Sequence, residues 1–180
     1  MLVWDGPPGT DIQEALKEIY LVGHSCSAHM IASIILDSTP ITPSLNTPAR
    51  LLDAIKGVVM SEGIFDLDQL LSRFPQYRER FVANAFGDTV KFSDFSVVNY
   101  PSRDHMDSTR WLIIHSKGDS LVDIGQSQAM YEHISRLYLK QNLPVDKHVR
   151  LDIDELQAEH NDIFKEDKYI EMVSSFILSA

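Results

Sequence analysis

Covalent and metal cross-links have almost no raw material in this chain. Of its 180 residues only Cys26 is a cysteine, so no disulfide can close within it and no multi-cysteine metal site can be built. Long apolar runs are also missing: no stretch reaches the roughly 18 consecutive apolar residues of a membrane-spanning helix. The opening MLVWDGPPGT has no basic segment leading into an apolar run, so no signal peptide is read there and a cytoplasmic protein is expected. Positive charge is scarce, with 16 Lys and Arg against 26 Asp and Glu and a net charge of −10. Such a surface repels nucleic acid and anionic membrane, and neither is expected as a partner. Internal repeats and low-complexity linkers are absent. None of the seven histidines pairs convincingly with another at zinc-ligand spacing, so no metal is expected.

What is present is ordinary globular material, 44% hydrophobic and 23% charged. Short apolar runs alternate with amphipathic segments, which predicts an α/β fold with about four parallel strands and flanking helices. DIQEALKE, from Asp11, reads as a short helix. IYLVG is a buried strand, and CSAHMIASIILD after it has helical spacing, with Ala28, Ile31, Ala32, Ile35 and Leu36 on one face. STPITPSLNTPAR is a loop. AIKGVVMSEGIFD is the second strand, and DLDQLLSRFP and QYRERFVANAFG are short helices ended by Pro75 and Gly87. RWLIIHSKGD, GQSQAMYEHISRLYLKQN, DKHVRLDID and EDKYIEMVSSFIL give strand, helix, strand, helix.

In such sheets ligands bind beyond the carboxyl ends of the strands. Ser25 follows the first strand, Asp119 the third and His160 the fourth. Serine, acid and histidine in that chain order match the order in which α/β-hydrolases present a triad. A serine hydroxyl becomes a nucleophile when a base takes its proton. Imidazole titrates near neutrality, and a carboxylate fixes its tautomer and stabilises the imidazolium. GHSCS departs from G-x-S-x-G at its last position, where Ser27 is still small. The N–H of Cys26, next after the serine, is the expected oxyanion donor, and its side chain is expected to pack rather than react.

Competitors stay in view. Asp123 is expected to cap the following helix, Asp104 and Asp107 lie before the strand, and Asp119 also has a plain reading as a turn residue after Gly118. His105, in a loop, rivals His160. His24 sits inside the elbow and is expected to point away from the nucleophile. His29 should pack beneath the serine, and His115 is near the site but too early. His133 and His148 read as helix-surface and strand residues.

The stretches LVGHSCSAHM, SEGIFDLDQLLSRFPQYRERFVANAFG, IIHSKGDSLV and EHNDIF together resemble the kynurenine formamidases, arylformamidases of the α/β-hydrolase superfamily, in their fungal form. The resemblance implies hydrolysis of N-formylkynurenine to kynurenine and formate in tryptophan breakdown. Ser25 would be the nucleophile, Asp119 the orienting acid and His160 the base, with no cofactor. It also implies an H-G-G-x-W segment before the nucleophile, whose amides complete the oxyanion hole. No such segment occurs here. Residues 1–180 are therefore expected to form one α/β-hydrolase domain shortened at its N-terminus. The strand before Ser25 would be a bared sheet edge open to pairing with a second copy as a homodimer. A weak formamidase is expected. The alternatives are a general carboxylesterase of the same fold and a non-catalytic fragment.

Overall fold

The computed structural model describes residues 18–179 apart from residue 90 and residues 104–105. The helix expected from Asp11, and the rivals Asp104 and His105, lie outside the described residues. Four parallel strands form one sheet in the order β1 (Ile19–His24), β2 (Ile55–Ser61), β3 (Arg110–Ile114), β4 (Val149–Asp152). The register pairs Val22 with Val59, Val59 with Leu112, and Leu112 with Arg150. Among the described residues β1 is an outer strand, and its Val22 is 47% exposed.

Period-two alternation splits the apolar side chains between two faces. Val58, Met60, Trp111 and Ile113 point to one core, shared with Ala28, Ala32 and Ile35 of α1 (Cys26–Ile35). Val59, Leu112 and Ile114 point to the other, against Leu156 and Ile163. Central strands buried on both faces read as continuous apolar runs, which is why VVM and WLII were legible as strands. A short helix that periodicity did not reveal, α2 (Ala49–Ala54), runs directly into β2.

Between β2 and β3 the chain makes an excursion with its own small core of Leu67, Leu70, Val82 and Phe92. It holds α3 (Leu67–Arg73), then a π-helical turn (Arg78–Val82) that continues into α4 (Ala83–Phe86). Gly87 ends this run at φ 82°, a conformation glycine adopts without strain. The long amphipathic helix α5 (Ile124–Lys140) covers the first face through Met130, Ile134 and Tyr138. Asp123 caps it, accepting from the Gly125 N–H at 2.8 Å. Residues 146–148, expected within the last strand, instead belong to α6 (Val145–His148) before β4. The final helix, α7 (Asp167–Leu178), buries Tyr169, Met172 and Phe176 on the second face.

Two histidines sit otherwise than expected. His133 is buried in α5 rather than on its surface, and its Nε2–H donates to the Tyr100 carbonyl at 2.9 Å. His148 ends α6 instead of lying in a strand, and its ring stacks on Tyr138 at 4.8 Å.

Candidate active site

β1 delivers Ser25 in a conformation that a loop would avoid. Its φ of 55° and ψ of −124° lie outside the regions open to ordinary L-residues. Such backbone costs on the order of 1–3 kcal/mol and persists only where its surroundings hold it. Here the Ser25 N–H donates to the Ser61 carbonyl at 2.9 Å, and the Ser25 carbonyl accepts from Ala28 N–H at 3.1 Å. Gly23 makes the tight approach feasible. A Cβ there would stand 2.6 Å from Ile31 Cδ1 and 2.9 Å from the Ala28 nitrogen. Ser27, by contrast, is exposed, so serine is tolerated where the motif has glycine. Cys26 opens α1, and the first N–H groups of a helix have no partner within it. That frees its amide for an oxyanion, while its thiol is exposed rather than packed as expected.

The loops after β3 and β4 bring Asp119 and His160 together. Asp119 Oδ2 accepts from His160 Nδ1–H at 2.8 Å, and Oδ1 accepts from the Leu121 and Val122 amides at 2.8 and 2.9 Å. Burial pushes this carboxyl up, but the His160 bond and the two amides outweigh it and hold it below its ordinary value. His160 is 5% exposed. Burial pushes its pKa down, while the Asp119 bond and charge, with Glu62 behind them, carry it above the ordinary 6.5. A tautomer with Nδ1–H leaves Nε2 as the proton acceptor that a base requires. The two loops are stitched tightly. Ser116 Oγ–H donates to the Ala158 carbonyl at 2.6 Å and Lys117 N–H to Leu156 at 3.0 Å.

His115 lies just beyond β3, buried beneath the acid. Its Nε2–H donates to the Val122 carbonyl at 3.1 Å, and its Nδ1 accepts from Ser127 Oγ at 2.9 Å. Nε2 is also 3.6 Å from Asp119 Oδ2, so His115 props the acid loop from below. His29 donates from Nδ1 to the Ile64 carbonyl at 3.0 Å, packing as expected. His24 faces the base. Its ring lies 4.4 Å from that of His160 and 4.8 Å from Phe164. Burial, then the neighbouring His160, lowers its pKa to about 4, so it stays neutral.

The residue that sequence reasoning missed is Glu62, one position past β2. Its side chain is fully buried and its φ is 50°. Oε1 accepts from Ser116 N–H at 3.2 Å. Oε2 lies 3.3 Å from His160 Nδ1 and 3.7 Å from His24 Nδ1, without hydrogen-bond alignment to either. Its signal in the sequence was a carboxylate just past the apolar run of residues 58–60. His24, Glu62 and His160 each bring one ligand-type atom within 4.8 Å of the others. They do not fit a metal ion. His160 Nδ1, the ring nitrogen that faces Glu62, carries the proton bonded to Asp119 and has no lone pair left for an ion.

Gln126 of α5 fixes the excursion above this end of the sheet. Its Oε1 accepts from Phe65 and Asp66 N–H at 2.7 and 2.8 Å, and its Nε2 donates to the Asp66 carbonyl at 2.8 Å. Tyr77 O–H reaches the Leu121 carbonyl at 3.2 Å, tying the excursion to the acid loop. An open depression of about 650 Å³ lies between Asp37, Thr47 and Arg103, and no triad candidate lines it. Arg103 spends its donors there on the Leu36 and Leu45 carbonyls, a structural clamp. No helix among the described residues is long and apolar enough to cross a membrane.

No family model matches the chain. It is similar to a kynurenine formamidase from the yeast Meyerozyma guilliermondii, 24% identical over 165 residues, covering 90% of this chain and 59% of that protein. Among solved structures it resembles the acylaminoacyl peptidase of Pyrococcus horikoshii (18% identity, TM-score 0.58, 92% of this chain and 26% of that one). It also resembles a Pyrococcus furiosus esterase (16%, 0.52, 91% and 53%) and a Lactobacillus plantarum carboxylesterase (14%, 0.52, 86% and 50%). The chain thus spans about three fifths of the curated relative and about half or less of these structures. Strand order, elbow and structural likeness agree: the chain has the α/β-hydrolase fold, and its sequence is similar to that of a kynurenine formamidase.

Proposed function

We propose that Ser25, Asp119 and His160 act as a nucleophile, orienting acid and base in hydrolysis of an aryl formamide, with N-formylkynurenine as substrate. The observation that carries this reading is the 2.8 Å bond by which Asp119 holds His160, on loops at the same end of the parallel sheet as a strained serine. The yeast relative supports the substrate. Ser25 Oγ attacks the formyl carbon as His160 Nε2 takes its proton, and the Cys26 N–H receives the oxyanion. His160 then gives that proton to the departing aniline nitrogen, the C–N bond breaks, and water releases formate from the serine ester.

A second reading, a carboxylesterase, is supported by the solved esterases of the same fold. Hydrolysis of N-formylkynurenine measured beside simple aryl esters separates the two. A preference for the formamide is expected. Ser25→Ala should abolish turnover and fluorophosphonate labelling. A variant that kept either would refute both readings, and an unlabelled wild type would point to a non-catalytic fragment.

A further inference from the structure

Glu62 combines three costs in one residue. Its backbone is left-handed, which disfavours any residue with a Cβ by about 1–2 kcal/mol. Its carboxyl is fully buried, and one of its oxygens has no hydrogen bond. The adjacent position is already a glycine, Gly63, so the strained glutamate is not forced by any lack of a suitable residue in the turn. It stands between the strand that ends in the nucleophile and the strand that leads to the acid. The Glu62 N–H donates to the Ile114 carbonyl at 2.9 Å, and Ser61 before it accepts the Ser25 amide.

We propose that Glu62 is a second acid for His160, a positioning residue that faces the same Nδ1 as Asp119 and shares a proton with the imidazole. This rests on the triad reading above. Asp119 stays ionised under its three donors. One further proton is then divided between the Glu62 carboxyl and the His160 ring. With Glu62 protonated, His160 is neutral and competent as a base. With Glu62 ionised, His160 holds the proton and is not. Burial first, then the Asp119 charge, pushes Glu62 up to about 8, and His160 opposite it is itself raised above its ordinary 6.5. Groups that close interact by coupled steps that belong to the pair. The other titratable groups facing them are His24, His115, Glu159 and Tyr169. Burial keeps both histidines neutral near pH 7 and raises Tyr169 above its ordinary value. Glu159 bonds Ser120 at the exposed rim.

The test is NMR titration of the His160 ring and of ¹³C-labelled glutamate carboxyls, in wild type and Glu62→Gln. Fluorophosphonate labelling of Ser25 is followed over the same pH range. Wild type should show His160 losing its proton in two steps, mirrored by the Glu62 carboxyl. Glu62→Gln should show one step at lower pH, and the acid limb of labelling should move down with it. Single-proton, superimposable His160 curves in both proteins would overturn the proposal. Should the variant fail to fold, wild type alone decides: a single His160 step with a Glu62 carboxyl that is silent in that range also overturns it. If Ser25 never labels but the two-step titration is seen, the triad reading fails while the Glu62 coupling stands.

Discussion

A carboxylate next to a catalytic histidine is normally worth a great deal. Where aspartate is the only acid, its replacement by asparagine costs roughly 10⁴ in turnover through the wrong tautomer. Here Glu62 Oε2 waits 3.3 Å from the same nitrogen. Asp119→Asn is therefore expected to fall short of that loss, and Asp119→Asn with Glu62→Gln to reach it. Equal effects of Glu62→Gln in the two backgrounds would count against a shared Nδ1. At this scale the sequence told much but not all. Ser25, Asp119 and His160 stood out as candidates because each follows an apolar run in a fixed chain order, and the structure joins the last two. Glu62 was hidden because its meaning is the position of two atoms that no spacing rule encodes, one of them 98 residues further along the chain. The same holds for His24, whose ring faces the base only because β1 and the loop after β4 converge.

Elements place these groups by loops that touch rather than by any one helix. A Cβ on Gly118 would lie 2.0 Å from the Gln157 carbonyl oxygen and 2.7 Å from that of Ala158. Both contacts are backbone, so neither side can yield cheaply. Gly118→Ala should prise the Asp119 loop from the His160 loop. Overpacking of this kind costs typically 1–3 kcal/mol, which lowers Tm by roughly 2–4 °C per kcal/mol in a domain of this size. Ser25 labelling should fall with it. Gly87→Ala is the control: φ is 82° but nothing lies within 4 Å, so only backbone strain is added and labelling should persist. Unchanged labelling in Gly118→Ala would show that the acid and base loops are not mutually braced. The strands and long helices were legible from period and length, since both faces of β2 and β3 are buried. The helix Ala49–Ala54 was not, because it spans too few residues to complete an amphipathic pattern, and the run ended by Gly87 was read as a helix without its π-helical turn.

For the molecule as a whole, two buried groups pull stability in opposite directions with pH. Burial holds His133 down to about 4 against an ordinary 6.5. The unfolded chain then takes up a proton that the folded chain refuses, so this contribution is full above pH 6.5 and is lost as pH falls toward 4. The loss is on the order of 2–4 kcal/mol, and His24 adds to it in the same direction. Glu62 works the other way. Its folded value near 8 exceeds the ordinary 4.5, so folding costs more as pH rises across that interval. Thermal unfolding is expected to be hardest in mildly acidic buffer. Glu62→Gln should raise Tm at pH 8 while leaving it nearly unchanged near pH 5, and an equal Tm at pH 8 would contradict a buried, protonated glutamate.

The strand order β1, β2, β3, β4 is also the order of synthesis. A ribosome emitting the four described strands can add each at the edge of the last, with none of the four inserted between two earlier ones. Serine, glutamate and aspartate are therefore in place before His160 emerges, with α7 the last described element to follow it. On the triad proposed above, the Ser25 hydroxyl would stay without its base in a nascent chain until the segment carrying His160 emerges.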